Sequence, residues 1–86
     1  MAGLPASIDL GSLDAVDLND RRLSRSLLLG LMMLAALARD GGWVALTALA
    51  LQLDMSKPTA HRYVNTLVQV GLVEQEAYTR RYRLTQ

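Results

Sequence analysis

Met55-Ser56-Lys57-Pro58-Thr59-Ala60-His61-Arg62-Tyr63-Val64-Asn65-Thr66-Leu67-Val68-Gln69-Val70-Gly71 reads as one helix that carries its own start and stop signals. Ser56 can cap the N-terminus, because its hydroxyl accepts one of the orphan backbone N–H groups there. Pro58 falls in the first turn, where its missing N–H costs nothing. Gly71 suits the left-handed residue that ends a helix. Ala60, Tyr63, Val64, Leu67 and Val70 recur at three- and four-residue spacing and predict an apolar stripe. The other face carries Lys57, His61, Arg62, Asn65 and Gln69, with Thr59 and Thr66 at its margins. Nothing on it is acidic. A major groove admits a helix, and its base edges accept from Arg and Lys and pair with Asn or Gln. The bland alternative is an ordinary amphipathic surface helix.

The segment in front favours the groove. Trp43-Val44-Ala45-Leu46 is short and β-prone, and Thr47 can cap a helix from Ala48 to about Leu53. Ala48, Leu49 and Leu51 predict that this helix packs inside. Leu53-Asp54-Met55 is then a tight turn into Ser56. Two helices so joined, the second with a polar outer face, make a helix-turn-helix. Behind Gly71, Leu72-Val73-Glu74-Gln75 reads as a strand and Glu76 to Arg80 as a turn. Arg81-Tyr82-Arg83-Leu84-Thr85 alternates like a half-buried return strand. The hairpin is a wing, and its Tyr78, Thr79, Arg80, Arg81 and Arg83 suit a sugar-phosphate backbone. Charges on a hairpin can also be merely solvated.

Further upstream, a Leu- and Ala-rich helix spans about Ser24 to Arg39, and Gly41-Gly42 stop it. It is apolar nearly all round, and such helices are usually buried on more than one side. A small domain cannot cover every side, so Leu28, Leu29 and Met32 are the expected seam of a homodimer. Arg21, Arg22 and Arg25 precede this helix. They are either a solvated helix start or an arm that reaches phosphates or a minor groove. Residues 1–20 hold Asp9, Asp14, Asp17 and Asp20 and no base. They read as a mobile acidic tail or as a docking segment in which Leu13, Val16 and Leu18 supply an apolar side.

The chain's formal charge of +1 therefore averages two unlike parts. All nine Lys and Arg lie in residues 21–86, against Asp40, Asp54, Glu74 and Glu76, so the expected folded domain is basic. Eighty-six residues make one domain with a modest core and no deep catalytic cavity. No cysteine is present, so disulfides, thiolate chemistry and zinc fingers are out of reach. The longest apolar run, Leu27 to Ala38, is too short for a span of about 20 residues, so no membrane partner is expected. The first residues lack a secretory pattern, which makes the cytoplasm the default. His61 is the lone histidine, and neither a metal site nor a catalytic triad can be assembled around it. No glycine-rich phosphate loop occurs. No enzyme activity, cofactor or metal is expected.

From Ser26 to Leu84 the ordered series resembles the N-terminal DNA-binding domain of the IclR family of bacterial transcription regulators. Ser26-Leu27-x-x-Gly30-Leu31-x-x-Leu34 is similar to its first helix, and Leu46-Thr47-x-Leu49-Ala50-x-x-Leu53 to its second. The most specific piece is Thr59-x-His61-Arg62 followed by Thr66-Leu67 and Gly71-Leu72-Val73. Arg81-Tyr82-Arg83-Leu84 resembles the closing wing strand. Leu28 and Leu29 stand where the family usually has charges, which supports extra burial there. Ser56-Lys57-Pro58-Thr59 departs from the common Pro-Lys-Ser-Thr order, so base preference is expected to differ. The family continues into a large effector-binding domain. The chain is then either an excised domain or a stand-alone protein, and no small-molecule effector site is expected within it.

The expected fold is mainly α with a small β-hairpin: three helices plus wing over residues 21–86, behind the acidic segment 1–20. Lys57, Thr59, His61 and Arg62 are the candidate base readers; Arg62 could instead pair with an acid of the domain. Arg21, Arg22, Arg25, Thr47, Ser56, Asn65, Tyr78, Thr79, Arg80 and Arg81 are the candidate backbone contacts. The expected function is a sequence-specific double-stranded DNA-binding regulator, a repressor more readily than an activator. The alternative is a protein-interaction winged helix that docks through its acidic-apolar N-terminal segment.

Overall fold

A computed structural model of the chain describes Leu13 and residues 15–85. The element order is α1 (Arg25–Asp40), α2 (Leu46–Gln52), α3 (Lys57–Gln69), β1 (Val73–Gln75) and β2 (Tyr82–Leu84). This is a winged helix-turn-helix. Its wing is an antiparallel pair in the register Val73 with Leu84, Glu74 with Arg83 and Gln75 with Tyr82.

Local chemistry accounts for the helix ends. Ser24 caps α1, its hydroxyl accepting from the Leu27 N–H, and Gly41 closes it at φ 76°. Ser56 caps α3 by accepting from the Thr59 N–H at 3.3 Å. The far end of α3 is a Schellman turn, in which Gly71 (φ 85°) donates to the Val68 carbonyl and Leu72 to that of Leu67. The same pair of bonds ends α2: Asp54 donates to the Leu51 carbonyl and Met55 to that of Ala50. Asp54 takes φ 51° there, a conformation whose strain aspartate tolerates better than most residues. No glycine marks this stop, so only the tight spacing predicted it.

The start of α2 corrects an expectation. Its N-cap is Ala45, with no side-chain bond, and Thr47 lies inside the first turn. The helix begins early because Val44 is held as an extended residue. Val44 and Tyr82 exchange backbone hydrogen bonds of 2.7 and 2.8 Å in an isolated bridge. The β-prone reading of Trp43-Val44 thus holds for a single residue, which adds one isolated bridge on the other side of the return strand.

The core gathers one stripe from each element: Met33, Leu34, Ala36 and Leu37 of α1, Leu49 and Ala50 of α2, Ala60 and Val64 of α3, with Val44, Val73 and Tyr82. Met33, Leu37, Leu49 and Val64 are the largest fully buried side chains. Each contributes about 1.5–3 kcal/mol by leaving water. Three apolar residues expected inside lie outside. Leu51 is 85 % exposed, Ala48 is exposed, and Val70, at the C-cap of α3, is 55 % exposed. In a helix of seven residues only one side can face the core, and Leu49 and Ala50 occupy it.

Leu13 is buried. With Val16 and Leu18 it lines a hollow against Met32, Ala35, Ala36 and Arg39 of α1 and Gln52 and Leu53 beyond them. This part of the N-terminal segment lies on the domain itself. The earlier acids, Asp9 and Asp14, lie outside the described residues.

Candidate nucleic-acid interface

On α3, at 100° per residue, Lys57, His61, Asn65, Gln69 and Arg62 fall within about 140° of arc. All five are exposed, and no acid occurs anywhere in the helix. Ala60 and Val64 are buried and anchor α3 to the core. Among the described residues no carboxylate pairs with Arg62, so the rival role as an internal ion-pair partner has no support. Asn65 Nδ2 lies 3.3 Å from His61 Nε2, one turn away, so the two polar groups support each other along the face. Thr66 turns inward in its bonding and donates to the Arg62 carbonyl at 2.8 Å.

The margins are less free. Ser56 Oγ donates to Thr59 Oγ1 at 2.9 Å while accepting the Thr59 N–H. Thr59 is half-buried. Both hydroxyls are therefore engaged in starting α3: Ser56 Oγ retains one lone pair, and Thr59 Oγ1 retains its own O–H and one lone pair. Thr47 is exposed in the first turn of α2.

In front of α1 and at its first residue, Arg21, Arg22 and Arg25 are exposed. Asp20 grips Arg22 with two bonds, 3.1 Å to Nε and 2.8 Å to Nη2. The side-chain bond from Arg22, and then its backbone N–H, hold the Asp20 carboxyl below its ordinary range. Arg22 can meet a phosphate only by exchanging that partner. Among the described residues Arg21 and Arg25 have no ion pair.

The wing divides its arginines between two tasks. Arg80 and Arg81 are exposed at the tip. Arg83 is not available in the same way. Its guanidinium carbon stacks 4.2 Å from the centroid of the Trp43 ring, and Nε donates to Glu74 Oε1 at 2.6 Å. It pins the return strand to the segment between α1 and α2. Reading Arg83 as one more wing cation missed this, because its two partners lie 40 and nine residues away and no local pattern links them.

At the tip, Glu76 Oε2 accepts three bonds: Tyr78 N–H at 3.0 Å, Thr79 N–H at 2.6 Å and Thr79 Oγ1 at 2.8 Å. Its backbone N–H donates to the Arg81 carbonyl, and its carbonyl accepts the Arg80 N–H. The bonds from Thr79 N–H and then Thr79 hydroxyl hold the Glu76 carboxyl below the usual range, with burial opposing. Arg80 sits at φ 60°, a strained conformation for a residue with a Cβ. Gln75 Nε2 steadies it by donating to the Arg80 carbonyl at 3.1 Å. Tyr78 is 94 % exposed. Glu76 was not among the expected site residues, although a carboxylate three residues before a threonine in a turn is a recognisable pairing.

Leu28, Leu29 and Met32 are half-buried on α1. Met32 already faces the Leu13–Leu18 hollow. Leu27 is 64 % exposed, more than any of the three expected seam residues. Among the described residues no helix is long and apolar enough to cross a membrane.

The model of the IclR helix-turn-helix domain matches residues 26–77, from the first turn of α1 into the wing tip. The chain belongs to the IclR family. The crystal structure of Pseudomonas aeruginosa HmgR is similar at a TM-score of 0.67 and 34 % identity, covering 72 % of this chain and 26 % of that one. That of an IclR family transcriptional regulator from Brucella abortus is similar at 0.70 and 29 %, covering 91 % and 30 %. The chain thus spans under a third of the length of either structure. No curated protein sequence matches it.

Proposed function

We propose that this chain binds double-stranded DNA as the reading domain of a transcription regulator that occupies an operator and represses. The observation that carries this is the exposed, acid-free face of α3, set in a domain of the IclR helix-turn-helix family. In this reading Lys57, His61 and Arg62 address base edges and Thr59 the rim. Asn65 reaches a flanking phosphate. Arg21, Arg25, Arg80 and Arg81 contact the backbone with Tyr78 and Thr79, the Thr47 hydroxyl adds a hydrogen bond, and Ser56 adds one when its O–H leaves Thr59. Arg22 joins them once released from Asp20. One such domain makes few contacts, so two copies related by a two-fold axis, meeting through α1, read half-sites about 34–36 Å apart. The protein works in the cytoplasm.

A gel shift against random duplex at low and moderate salt tests the reading. Binding should be strong at low salt and fall steeply as salt rises, because bound counterions are released. A shift absent at low salt removes it. The same result would favour the protein-interaction alternative. For that alternative the packing of Leu13 on α1 is the relevant observation, since it commits part of the acidic-apolar segment to the domain's own surface.

A further inference from the structure

A carboxylate near a polyanion lowers affinity unless it does something else. Glu76 stands at the tip of the wing, where the other charged residues are Arg80 and Arg81; Glu74 and Arg83 pair with each other in the strands below. All the hydrogen bonds it makes lie within the tip, to Tyr78, Thr79, Arg80 and Arg81. None runs to α3 or to the core. The strands below are held independently by their own register and by the Val44–Tyr82 bridge. Glu76 therefore contributes nothing to the core that positions α3. What it does is restrain four exposed residues, among them an almost fully exposed tyrosine and an arginine held at positive φ.

We propose that Glu76 is a positioning residue for DNA binding, an anionic clamp that raises affinity by presetting the wing tip to present Tyr78 and Arg80. The proposal rests on the DNA-binding reading above. Binding to an unclamped tip must order the backbone of Tyr78 and Thr79 at the moment of contact, and fixing a residue costs about 1–2 kcal/mol. With the carboxylate in place that ordering precedes binding. Its electrostatic penalty is smaller, because one exposed charge about 10 Å from a phosphate in water changes affinity by only about twofold. The two effects have opposite signs, so the sign of the mutant's change decides between them.

The test measures the affinity of the whole chain for a random-sequence duplex at one fixed salt concentration. It compares wild type, Glu76→Ala and Glu76→Gln, each also in a Tyr78→Ala/Arg80→Ala background. The clamp predicts about tenfold weaker binding for Glu76→Ala, although a negative charge has gone. Glu76→Gln removes the same charge but keeps an acceptor oxygen, and should stay within about twofold of wild type. In the double-variant background the Glu76→Ala loss should vanish, since the residues it positions are absent. Unchanged or tighter binding by Glu76→Ala overturns the clamp, as does a tenfold loss that persists without Tyr78 and Arg80. So does an equal effect of Ala and Gln. Melting curves accompany each variant, and protection of the Thr79 amide from exchange should fall in Glu76→Ala while the core amides keep theirs. If wild type itself fails to bind, the DNA-binding reading fails first and the clamp falls with it. If wild type binds and Glu76→Ala binds more tightly, only the clamp is lost.

Discussion

Two arginines two residues apart, Arg81 and Arg83, look alike in the sequence and behave differently in the fold. Arg83 is consumed by Trp43 and Glu74, whereas Arg81 is exposed and, among the described residues, without an ion pair. Arg83→Leu should lower the melting temperature by a few degrees and leave the salt dependence of DNA binding unchanged. Arg81→Ala should leave stability alone and reduce the salt slope by about 0.9. Titrations at several salt concentrations distinguish them, and a reduced slope for Arg83→Leu would return that residue to the backbone contacts. Arg80 combines both pressures. Glycine accepts φ 60° without strain, so Arg80→Gly should stabilise the fold by about 1 kcal/mol while weakening binding to every duplex alike. Calorimetry beside the same titration shows whether the gain and the loss coincide. The Glu76 carboxyl has a folded-state pKa depressed by its Thr79 partners. Its contribution is therefore present above the ordinary carboxylate pKa and disappears as pH falls through the lower, folded value. Protection of the Thr79 amide, its exchange rate relative to an unstructured chain at the same pH, should hold from neutral pH through the ordinary carboxylate range and fall only below it. Loss of protection already near pH 6 would contradict the depressed value.

At the level of elements, α3 was readable because its signals agree: a serine cap, a proline in the first turn, an apolar stripe and a terminal glycine. The observed span is Lys57–Gln69, with Ser56 as cap. Ser56→Ala should cost about 1 kcal/mol, measurable by denaturant unfolding, since it strips the Thr59 N–H of its acceptor. A cost near zero would mean that water replaces the hydroxyl. The start of α2 was less readable. Thr47 is a good capping residue, yet the cap is Ala45, because pairing with Tyr82 fixes Val44 as strand and moves the helix start forward. A cap preference of about 1 kcal/mol yields to two backbone hydrogen bonds made with a residue far along the chain. Leu51 and Val70 were misjudged for a related reason. Apolar identity marks what can be buried, but the side of a short helix that faces inward is chosen by its neighbours.

For the whole molecule, the division of charge was legible without coordinates, since acids crowd the first 20 residues and bases the rest. Where that acidic segment goes was not. Its Leu13 finds a place on α1, the helix whose all-round apolar character had implied a second copy. Part of the surplus is thus covered from within, while Leu27 stays exposed and Leu28 and Leu29 half-buried. Sedimentation of wild type and of Leu28→Glu/Leu29→Glu bears on what remains. A dimer that dissociates in the double variant supports a seam through α1, and two monomers would exclude it.

The rung between Val44 and Tyr82 sets a condition on how the domain comes into being. A nascent or trimmed polypeptide that stops at Ala77 contains everything from the first helix to the end of the third, yet lacks the strand that closes on Val44 and the arginine that stacks on Trp43. The earliest helices must therefore wait for the return strand of the wing before their connection is locked. Contacts of such long sequence separation slow folding. Any minimal fragment meant to fold by itself must run through Leu84.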